Sequence, residues 1–276
     1  MIVHLVDGTY ELFRQFYGIR RFKKEDPPMG AVAGVLHTIA QMLETGATHV
    51  GVATDHVIES FRNDLWDGYK TGQGIERALW RQFHPLEDAL RAMGVTVWAM
   101  VELEADDALA SAARRAAADP RVEKVCIWTP DKDLAQCVSG DRVVQVDRKS
   151  GQIRDAAAVR AKFGVPPERI PDYLALVGDA ADGYPGIPGV GPKTAARLIE
   201  RYGALEDFPE DGLLDRKHAL LFKKLATLVA DAPLFDDVES LRWRGPAAEF
   251  AAAAEKIGDP KLAPRISALA AALPPD

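Results

Sequence analysis

The chain has 276 residues, of which 47% are hydrophobic and 27% are charged, and its formal net charge is −7 at pH 7. These values are ordinary for a globular protein with a sizeable core, and the length allows one large domain or a domain with a smaller one. No apolar run approaches the roughly 20 residues of a membrane span, which speaks against a membrane protein. The first residues are too short for a signal peptide and two cysteines set no disulfide framework, so we expect a cytoplasmic protein.

Three short apolar runs are separated by segments of helical length, which is typical of buried parallel strands in an α/β sheet. They span residues 2–6, 49–54 and 124–129. The first two end at Asp7 and Asp55, and the third is followed by Asp131 and Asp133. One such Asp is commonly a helix N-cap, but ligands bind at the carboxyl ends of parallel strands. Agreement among three strand ends favours a site at this edge of the sheet.

Glu104, Asp106 and Asp107 stand at the start of a segment, residues 106–118, whose alanines and leucine recur at helical spacing. Acids in a first helical turn gain from the helix dipole, which would account for one or two of them. The alternative is a group of carboxylates that collects a divalent metal ion, because only a cation makes such crowding inexpensive. The stretch by itself leaves both interpretations open.

Basic and aromatic residues alternate in residues 60–90, where Arg62 and Lys70 are interleaved with Trp and Tyr side chains. This mixture suits single-stranded nucleic acid, with cations on phosphates and rings under bases. An amphipathic helix that packs its aromatic residues inward explains the same pattern equally well. Residues 20–24 form a second basic stretch, for which a solvated surface loop and a phosphate-tracking surface are both open.

The remaining pattern predicts a further strand at residues 143–146 and several helices. The predicted helices span residues 30–43, 156–163, 195–202, 213–229, 247–257 and 264–273. A Gly-Pro break at residues 164–167 is a plausible boundary. The last two helices are expected to serve packing alone.

A second acidic pair, Asp179 and Asp182, precedes a glycine-rich loop that leads into a helix through Pro192. Proline suits the first position of a helix, and the exposed amides there form an anion site beside Lys193 and Thr194. As a hairpin between two helices, this loop has the geometry that grips a duplex backbone without reading its sequence.

Nine acids are therefore candidates for one site, and hard oxygen ligands without His or Cys select Mg²⁺ or Mn²⁺. They are Asp7, Asp55, Glu104, Asp106, Asp107, Asp131, Asp133, Asp179 and Asp182. So many acids suggest two or more ions, and two ions about 4 Å apart clamp the attacking and leaving oxygens of a phosphodiester displacement. Removing nine negative charges from −7 leaves +2, so the net charge does not exclude a nucleic-acid partner.

The ordered set of motifs resembles the 5′-nucleases, which include flap endonucleases and the 5′→3′ exonuclease domain of bacterial DNA polymerase I. The matching blocks are residues 5–8, Asp55, 60–62, 68–70, 104–107, 131–134, 178–182 and 185–195. The resemblance implies an α/β fold: a PIN-like (Rossmann-like), mostly parallel sheet flanked by helices, with a helix-three-turn-helix DNA-binding subdomain. It divides the chain into a nuclease core at 1–165 with a flexible arch at about 60–90, the DNA-binding subdomain at 166–240 and packing helices at 241–276.

By the same resemblance, the first five acids would hold one metal ion and the last four would complete a second region. Arg62 and Lys70 would steer and polarise the scissile phosphate. The implied DNA-binding residues are Arg14, Arg62, Lys70, Gly189, Gly191, Lys193 and Thr194. Backbone carbonyls around residues 189–191 would hold a K⁺ ion facing duplex DNA.

We therefore expect a monomeric, structure-specific 5′-nuclease that acts on DNA with 5′ flaps, overhangs or nicks. A PIN-like ribonuclease and a non-catalytic DNA-binding module are the alternatives. Two residues depart from the family pattern. Gly183 stands where Asn is frequent, and Glu11 is expected to add negative charge near the metal ions.

Overall fold

The computed structural model describes residues 1–20, 27–209 and 214–273. Residues 21–24 of the predicted basic stretch lie outside this part of the chain, as does Leu213, the first residue of the helix predicted at 213–229. The strands are β1 (Ile2–Asp7), β2 (His49–Asp55), β3 (Thr96–Met100), β4 (Lys124–Trp128), β5 (Val143–Asp147) and β6 (Gln152–Arg154).

Eleven helices are described besides short 3₁₀ turns. They are α1 (Gly8–Arg20), α2 (Gly30–Glu44), α3 (Arg77–Trp80), α4 (Phe83–Ala92), α5 (Ala105–Ala118), α6 (Ala156–Phe163), α7 (Ile170–Val177), α8 (Pro192–Tyr202), α9 (Arg216–Ala226), α10 (Phe250–Lys256) and α11 (Leu262–Ala271). None of them is long and apolar enough to cross a membrane.

The strands form one sheet in the order β3-β2-β1-β4-β5-β6, in which the first five are parallel and β6 is antiparallel to β5. The predicted α/β class with a mostly parallel sheet is confirmed. The sequence analysis missed β3, although residues 97–101 form a continuous apolar run, and it missed β6, which has three residues and only one apolar side chain. In the aligned register Val6 lies opposite both Val52 and Trp128, which brings the ends of three strands to one edge.

Helices cover both faces of the sheet, and the two covering layers differ in composition. On one face α1, α2 and α4 pack through large side chains such as Val35, Leu36 and Leu86, and α10 and α11 close the outside of this layer. On the other face α5 presents Ala108 and Ala112, both fully buried. Small side chains let a helix lie close to a sheet. The acidic N-terminus of α5 therefore lies directly beside the ends of β1 and β2.

A separate hydrophobic cluster holds the helical part of the chain together. Leu174 of α7, Ile199 of α8 and Phe222 of α9 belong to it. Trp66 from the segment after β2 packs edge-on against Phe222, with ring centroids 5.2 Å apart. Tyr69 is buried in the same cluster.

The aromatic residues in residues 60–90 are therefore mostly used for packing. Phe83 lies in the core of the sheet layer, whereas Trp80 is 45% exposed. The inward-packing interpretation of this segment accounts for Trp66, Tyr69 and Phe83, and Trp80 alone among these four is exposed to solvent.

Gly183 explains how the loop after Asp182 approaches the segment after β2. Its φ is +82°, and a Cβ atom would lie 1.9 Å from the Gly68 carbonyl oxygen. The Lys70 amide donates to the Asp182 carbonyl at 3.0 Å, and Trp66 Nε1 donates to the Gly183 carbonyl at 3.1 Å. Any side chain here would separate the two loops, so glycine replaces the Asn that the family pattern favours.

We predict that Gly183→Ala lowers the free energy of unfolding by about 2–4 kcal/mol, because it adds a backbone clash to the cost of a positive φ. Gly46→Ala is the matched control, since Gly46 has φ +97° but open space around its Cβ position. It should cost only about 1 kcal/mol. Urea unfolding of both variants measures the difference; equal losses would show that the Gly68 contact does not matter.

Candidate metal centre

Asp7 is the last residue of β1 and is 6% exposed. Its Oδ1 accepts a hydrogen bond from the Tyr10 amide at 2.8 Å, so it caps the first turn of α1. Its Oδ2 accepts from Thr129 Oγ1 at 3.1 Å, just beyond β4. Thr129 was not among the predicted residues, although its place after a buried strand marks it. The two bonds hold the Asp7 carboxylate at the edge of the sheet.

Asp55 connects the end of β2 to the start of α5. Its Oδ1 accepts from the Ala105 amide at 2.8 Å, and its own amide donates to Thr9 Oγ1 at 2.8 Å. Because Ala105 is the first residue of α5, this bond brings Glu104 and Asp106 to the same edge as Asp55. The three elements that carry predicted acids therefore meet in space.

Glu104 is a buried N-cap that is surrounded by donors. Its Oε1 accepts from Ser60 Oγ at 2.6 Å and from Arg62 Nη1 at 3.1 Å. Its Oε2 lies 2.7 Å from Lys70 Nζ. Burial would raise the pKa of Glu104, but the charges of Lys70 and Arg62 bring it below its usual value. The carboxylate is therefore ionised and balanced by protein cations.

Asp107 and Arg62 form a fully buried, two-bond ion pair. Arg62 Nη1 and Nη2 each donate to one Asp107 oxygen at 2.8 Å, and the side chains are 1% and 0% exposed. The Glu104 amide donates to Asp107 Oδ2 at 3.0 Å, and the Val229 amide donates to Oδ1 at 2.9 Å. Four donors therefore occupy the Asp107 carboxylate. Arg62 is 1% exposed in this pair, and its contact with a scissile phosphate stays a prediction.

Arg62 also joins the sheet to the helical part of the chain. Its Nε donates to the Leu225 carbonyl at 2.8 Å and its Nη2 donates to the Thr227 carbonyl at 3.1 Å, at the end of α9. The pair thus fixes the position of α9 relative to α5. A buried ion pair loses several kcal/mol when one partner is removed, because the remaining charge stays uncompensated.

Three further acids, Asp133, Asp179 and Asp182, form what we call the second acidic group. One carboxylate oxygen from each lies within 4.8 Å of the others, and all three residues are buried. Lys132 Nζ contacts Asp179 at 2.7 Å, and Lys70 Nζ contacts Asp182 at 3.1 Å. The sequence analysis did not select Lys132, although it stands between two predicted acids.

Asp133 provides the test of whether this group fits a metal ion. Its Oδ1 is buried and has no hydrogen-bond partner among the residues that the structure describes. Burial raises the pKa of Asp133 well above its ordinary value, and the charges of Asp131 and Asp182 raise it further. A bare carboxylate oxygen among other carboxylates suits a hard divalent cation. The residues therefore fit Mg²⁺ or Mn²⁺.

Like-charge repulsion connects the two groups. We call Asp7, Asp55, Glu104 and Asp106 the first acidic group. Burial raises the pKa of Asp7 to about 7, with further contributions from Asp55 and Asp131. Burial also raises the pKa of Asp106 well above its usual range, followed by the charges of Asp131 and Asp7. Asp131 is exposed, and its negative charge raises the pKa of acids in both groups.

Two further predicted features are the glycine-rich loop before α8 and the negative charge of Glu11. Gly189, Gly191, Lys193 and Thr194 are exposed around the N-terminus of α8. The Glu11 carboxylate is completely buried and pairs with Arg14, whose Nη2 lies 2.5 Å from Oε2. The charge expected from Glu11 near the metal site is thus offset by Arg14.

The fold and the site together define a class. An open, mostly parallel sheet that gathers two groups of carboxylates at its carboxyl edge is a scaffold for divalent-metal hydrolysis of phosphate esters.

Two family models match successive parts of the chain. The 5′-3′ exonuclease, N-terminal resolvase-like domain, matches residues 2–164, and the 5′-3′ exonuclease, C-terminal SAM fold, matches residues 165–249. The chain belongs to the 5′-3′ exonuclease family, a class of phosphodiester hydrolases.

Individual relatives agree with the family models. A protein named 5′-3′ exonuclease from Buchnera aphidicola subsp. Baizongia pistaciae is 32% identical over 227 residues, which cover 81% of this chain and 74% of that protein. DNA polymerase I of Rhizobium leguminosarum is 35% identical over 260 residues, which cover 86% of this chain. The match covers only 25% of the length of the polymerase.

Solved structures share the fold. The T5 D15 protein co-crystallized with metal ions is similar with a TM-score of 0.64 at 19% identity, over 98% of this chain and 100% of that chain. The catalytic core of Rad2 in complex with DNA substrate gives a TM-score of 0.58 at 15% identity, over 96% and 91% of the two chains.

We predict that Asp107→Asn lowers the free energy of unfolding by about 2–4 kcal/mol, because Arg62 loses its buried counter-charge. The matched control is the neighbouring Asp106→Asn, which removes a repelled carboxylate and should leave the metal-free protein as stable or more stable. Chemical denaturation in EDTA compares the two. A smaller loss for Asp107→Asn than for Asp106→Asn would contradict the structural role of Asp107.

We predict that, in EDTA, Asp7→Asn stabilises the protein at pH 8 by about 2–4 kcal/mol. The pKa of Asp7 is raised to about 7 in the folded protein, so between about pH 4 and 7 the unfolded chain ionises this carboxyl while the folded protein keeps it protonated. The folded protein therefore loses stability relative to the unfolded chain as the pH rises through this range. The advantage of the variant should therefore shrink steadily as the pH falls to 5. Unfolding curves at several pH values measure this advantage, and a pH-independent difference would refute the shifted pKa.

Proposed function

We propose that this protein is a Mg²⁺- or Mn²⁺-dependent 5′→3′ exonuclease and flap endonuclease that hydrolyses DNA phosphodiesters near junctions of single and double strands. The observation that carries the proposal is the meeting of two acidic groups at one sheet edge, with Lys70 between them. This arrangement leaves strongly repelled carboxylates that need divalent cations, and it suits phosphate esters better than other substrates.

The acids divide into metal ligands and positioning residues. Asp7, Asp55, Asp106 and Asp131 would hold one ion, and Asp133, Asp179 and Asp182 would hold another. When bound, such ions supply an activated water and stabilise the leaving oxygen. Asp107 serves instead to hold Arg62, because four donors already occupy its oxygens.

Glu104 is proposed to position the ammonium group of Lys70. The Lys70 ammonium contacts Glu104 at 2.7 Å and Asp182 at 3.1 Å, and its side chain is 28% exposed. An ammonium has three protons, so one remains for an incoming phosphate oxygen. Lys70 is therefore the residue of this chain that draws the scissile phosphate toward the acids and neutralises its charge.

Duplex DNA would be held through the turn before α8. Gly191 is the N-cap of this helix and Pro192 its first residue, and the amides there face solvent with Lys193 and Thr194. Exposed amides at a helix N-terminus bind phosphate independently of base sequence. A K⁺ ion on the carbonyls around residues 189–191 would extend this surface, and Arg14 of α1 would add a phosphate contact elsewhere on the protein. The protein would act as a cytoplasmic monomer on 5′ flaps, overhangs and nicks.

The test is cleavage of an end-labelled 5′-flap duplex, beside a blunt duplex, a nicked duplex and single-stranded RNA, in Mg²⁺ and then in EDTA. We expect Mg²⁺-dependent cutting of the flap that EDTA abolishes. Asp106→Asn should lose at least about 100-fold of the rate, because it removes a metal ligand. The matched control Asp88→Asn changes the same charge on the exposed face of α4 and should retain the rate.

The alternatives give different results in the same assay. Cleavage of the RNA alone would identify a ribonuclease. Binding of the flap without cleavage in Mg²⁺ or Mn²⁺ would identify a non-catalytic DNA-binding module. The relative rates on flap, nick and blunt end decide between endonuclease and exonuclease preference.

A further inference from the structure

A large open cleft lies on the α2 side of the sheet, where none of the nine acids is found. Its volume is about 1060 Å³, and it runs from the turn after α2, at Thr45 to Thr48, to Arg148 and Lys149 after β5. Ile2 and His4 of β1 belong to its lining. Its lining is rich in hydroxyl, amide and cationic side chains, which an apolar docking groove would not have.

Arg148 is a half-buried cation in this cleft, and within the described part of the chain no carboxylate lies within ion-pairing distance of it. Its Nη2 donates to Gln41 Oε1 at 2.8 Å and lies 3.5 Å from the Thr38 carbonyl, and both acceptors are neutral. Burial lowers the pKa of Arg148, and the nearby charge of Arg14 lowers it further, against the effect of Glu11. A guanidinium in this setting gains from an anion that the protein itself does not supply.

The neighbouring acids are already engaged. The Glu11 carboxylate is bound in two places by Arg14. Asp147 Oδ1 accepts from the amides of Lys149 and Ser150 at 2.9 and 3.4 Å, which closes the turn after β5. The unbalanced charge that faces the cleft therefore comes from Arg148 and the exposed Lys149.

An aromatic wall stands beside this charge. The Arg148 guanidinium carbon lies 5.7 Å from the centroid of the Trp128 ring. Trp128 Nε1 donates to His4 Nδ1 at 3.0 Å, and the two rings lie 5.9 Å apart. Burial lowers the pKa of His4 to about 4, so the ring is neutral and keeps its remaining proton on Nε2. Half-buried aromatic rings next to a cation are the elements that bind a base and its phosphate.

We propose that this cleft is a nucleotide site separate from the acidic groups, in which Arg148 and Lys149 bind a phosphate and Trp128 contacts the attached base. The ligand chemistry is a nucleoside 5′-phosphate, which is either a free mononucleotide or one nucleotide of a DNA strand. The inference rests on the proposed function for its choice of ligand, since a 5′→3′ exonuclease meets both forms. Thr38, Gln41 and Gln15 supply hydrogen-bonding groups for the sugar or the base edge.

The test follows the indole N–H signal of Trp128 by NMR in the full chain, assigned with Trp128→Phe. In EDTA, dAMP should shift this signal saturably, and inorganic phosphate should need at least about fivefold higher concentration because it lacks the base. Arg148→Gln should weaken dAMP binding about tenfold, and Arg148→Lys should restore part of it. The matched control Arg160→Gln, on the exposed face of α6, should change it less than about twofold.

A 5′-flap duplex added in EDTA distinguishes the two sources of the nucleotide. Displacement of dAMP, together with weaker flap binding by Arg148→Gln, identifies a nucleotide of the DNA strand. Flap binding without displacement identifies a free mononucleotide. Both results support the site.

Three results would overturn the inference. One is no response of Trp128 to dAMP at up to about 20 mM together with unchanged flap affinity of Arg148→Gln. Another is an equal loss for Arg148→Gln and Arg160→Gln. The third is a response to dAMP that Arg148→Gln leaves intact. None of these measurements requires cleavage, so they remain informative if the flap-cleavage test fails.

Discussion

Electrostatic repulsion among carboxylates at the carboxyl edge of the sheet is the constraint on which the remaining structure depends. Parallel strands and α5 bring these acids together, and burial deprives them of water. The protein offsets part of this charge with Arg62, Lys70 and Lys132, each of which contacts at least one acid. Among the residues that the structure describes, Asp7 and Asp106 have no such partner, and burial together with neighbouring carboxylates raises the pKa of both. The uncompensated remainder is what a divalent cation would neutralise.

The same acids also connect the two parts of the chain. Asp107 and Arg62 reach from α5 to the end of α9, and Lys70 reaches from Glu104 to Asp182. The loop that carries Asp182 approaches the segment before Lys70 only because Gly183 has no side chain. The ion pairs that balance the acidic groups therefore also hold the helical part of the chain against the sheet. A change at the Arg62–Asp107 pair, or at the contacts of Lys70, should therefore alter how the helical part of the chain sits against the sheet.

The sequence predicted the sheet and the edge at which the acids meet, because buried parallel strands leave continuous apolar runs that end at Asp7 and Asp55. It did not predict β3, although residues 97–101 form an apolar run of the same kind. The local pattern also could not separate the roles of Asp106 and Asp107. Adjacent helical residues point in different directions, but what each one faces is known only once the partners of the helix are known. The burial of Arg62 depends on carbonyls more than 160 residues away, which no local motif encodes.

The most direct test of the central claim is diffraction at the manganese absorption edge from crystals of the protein soaked in Mn²⁺. The account predicts one anomalous peak among Asp7, Asp106 and Asp131 and another among Asp133, Asp179 and Asp182, while Asp107 keeps both bonds to Arg62. Peaks away from these carboxylates, or a manganese ion on Asp107 with Arg62 displaced, would contradict it.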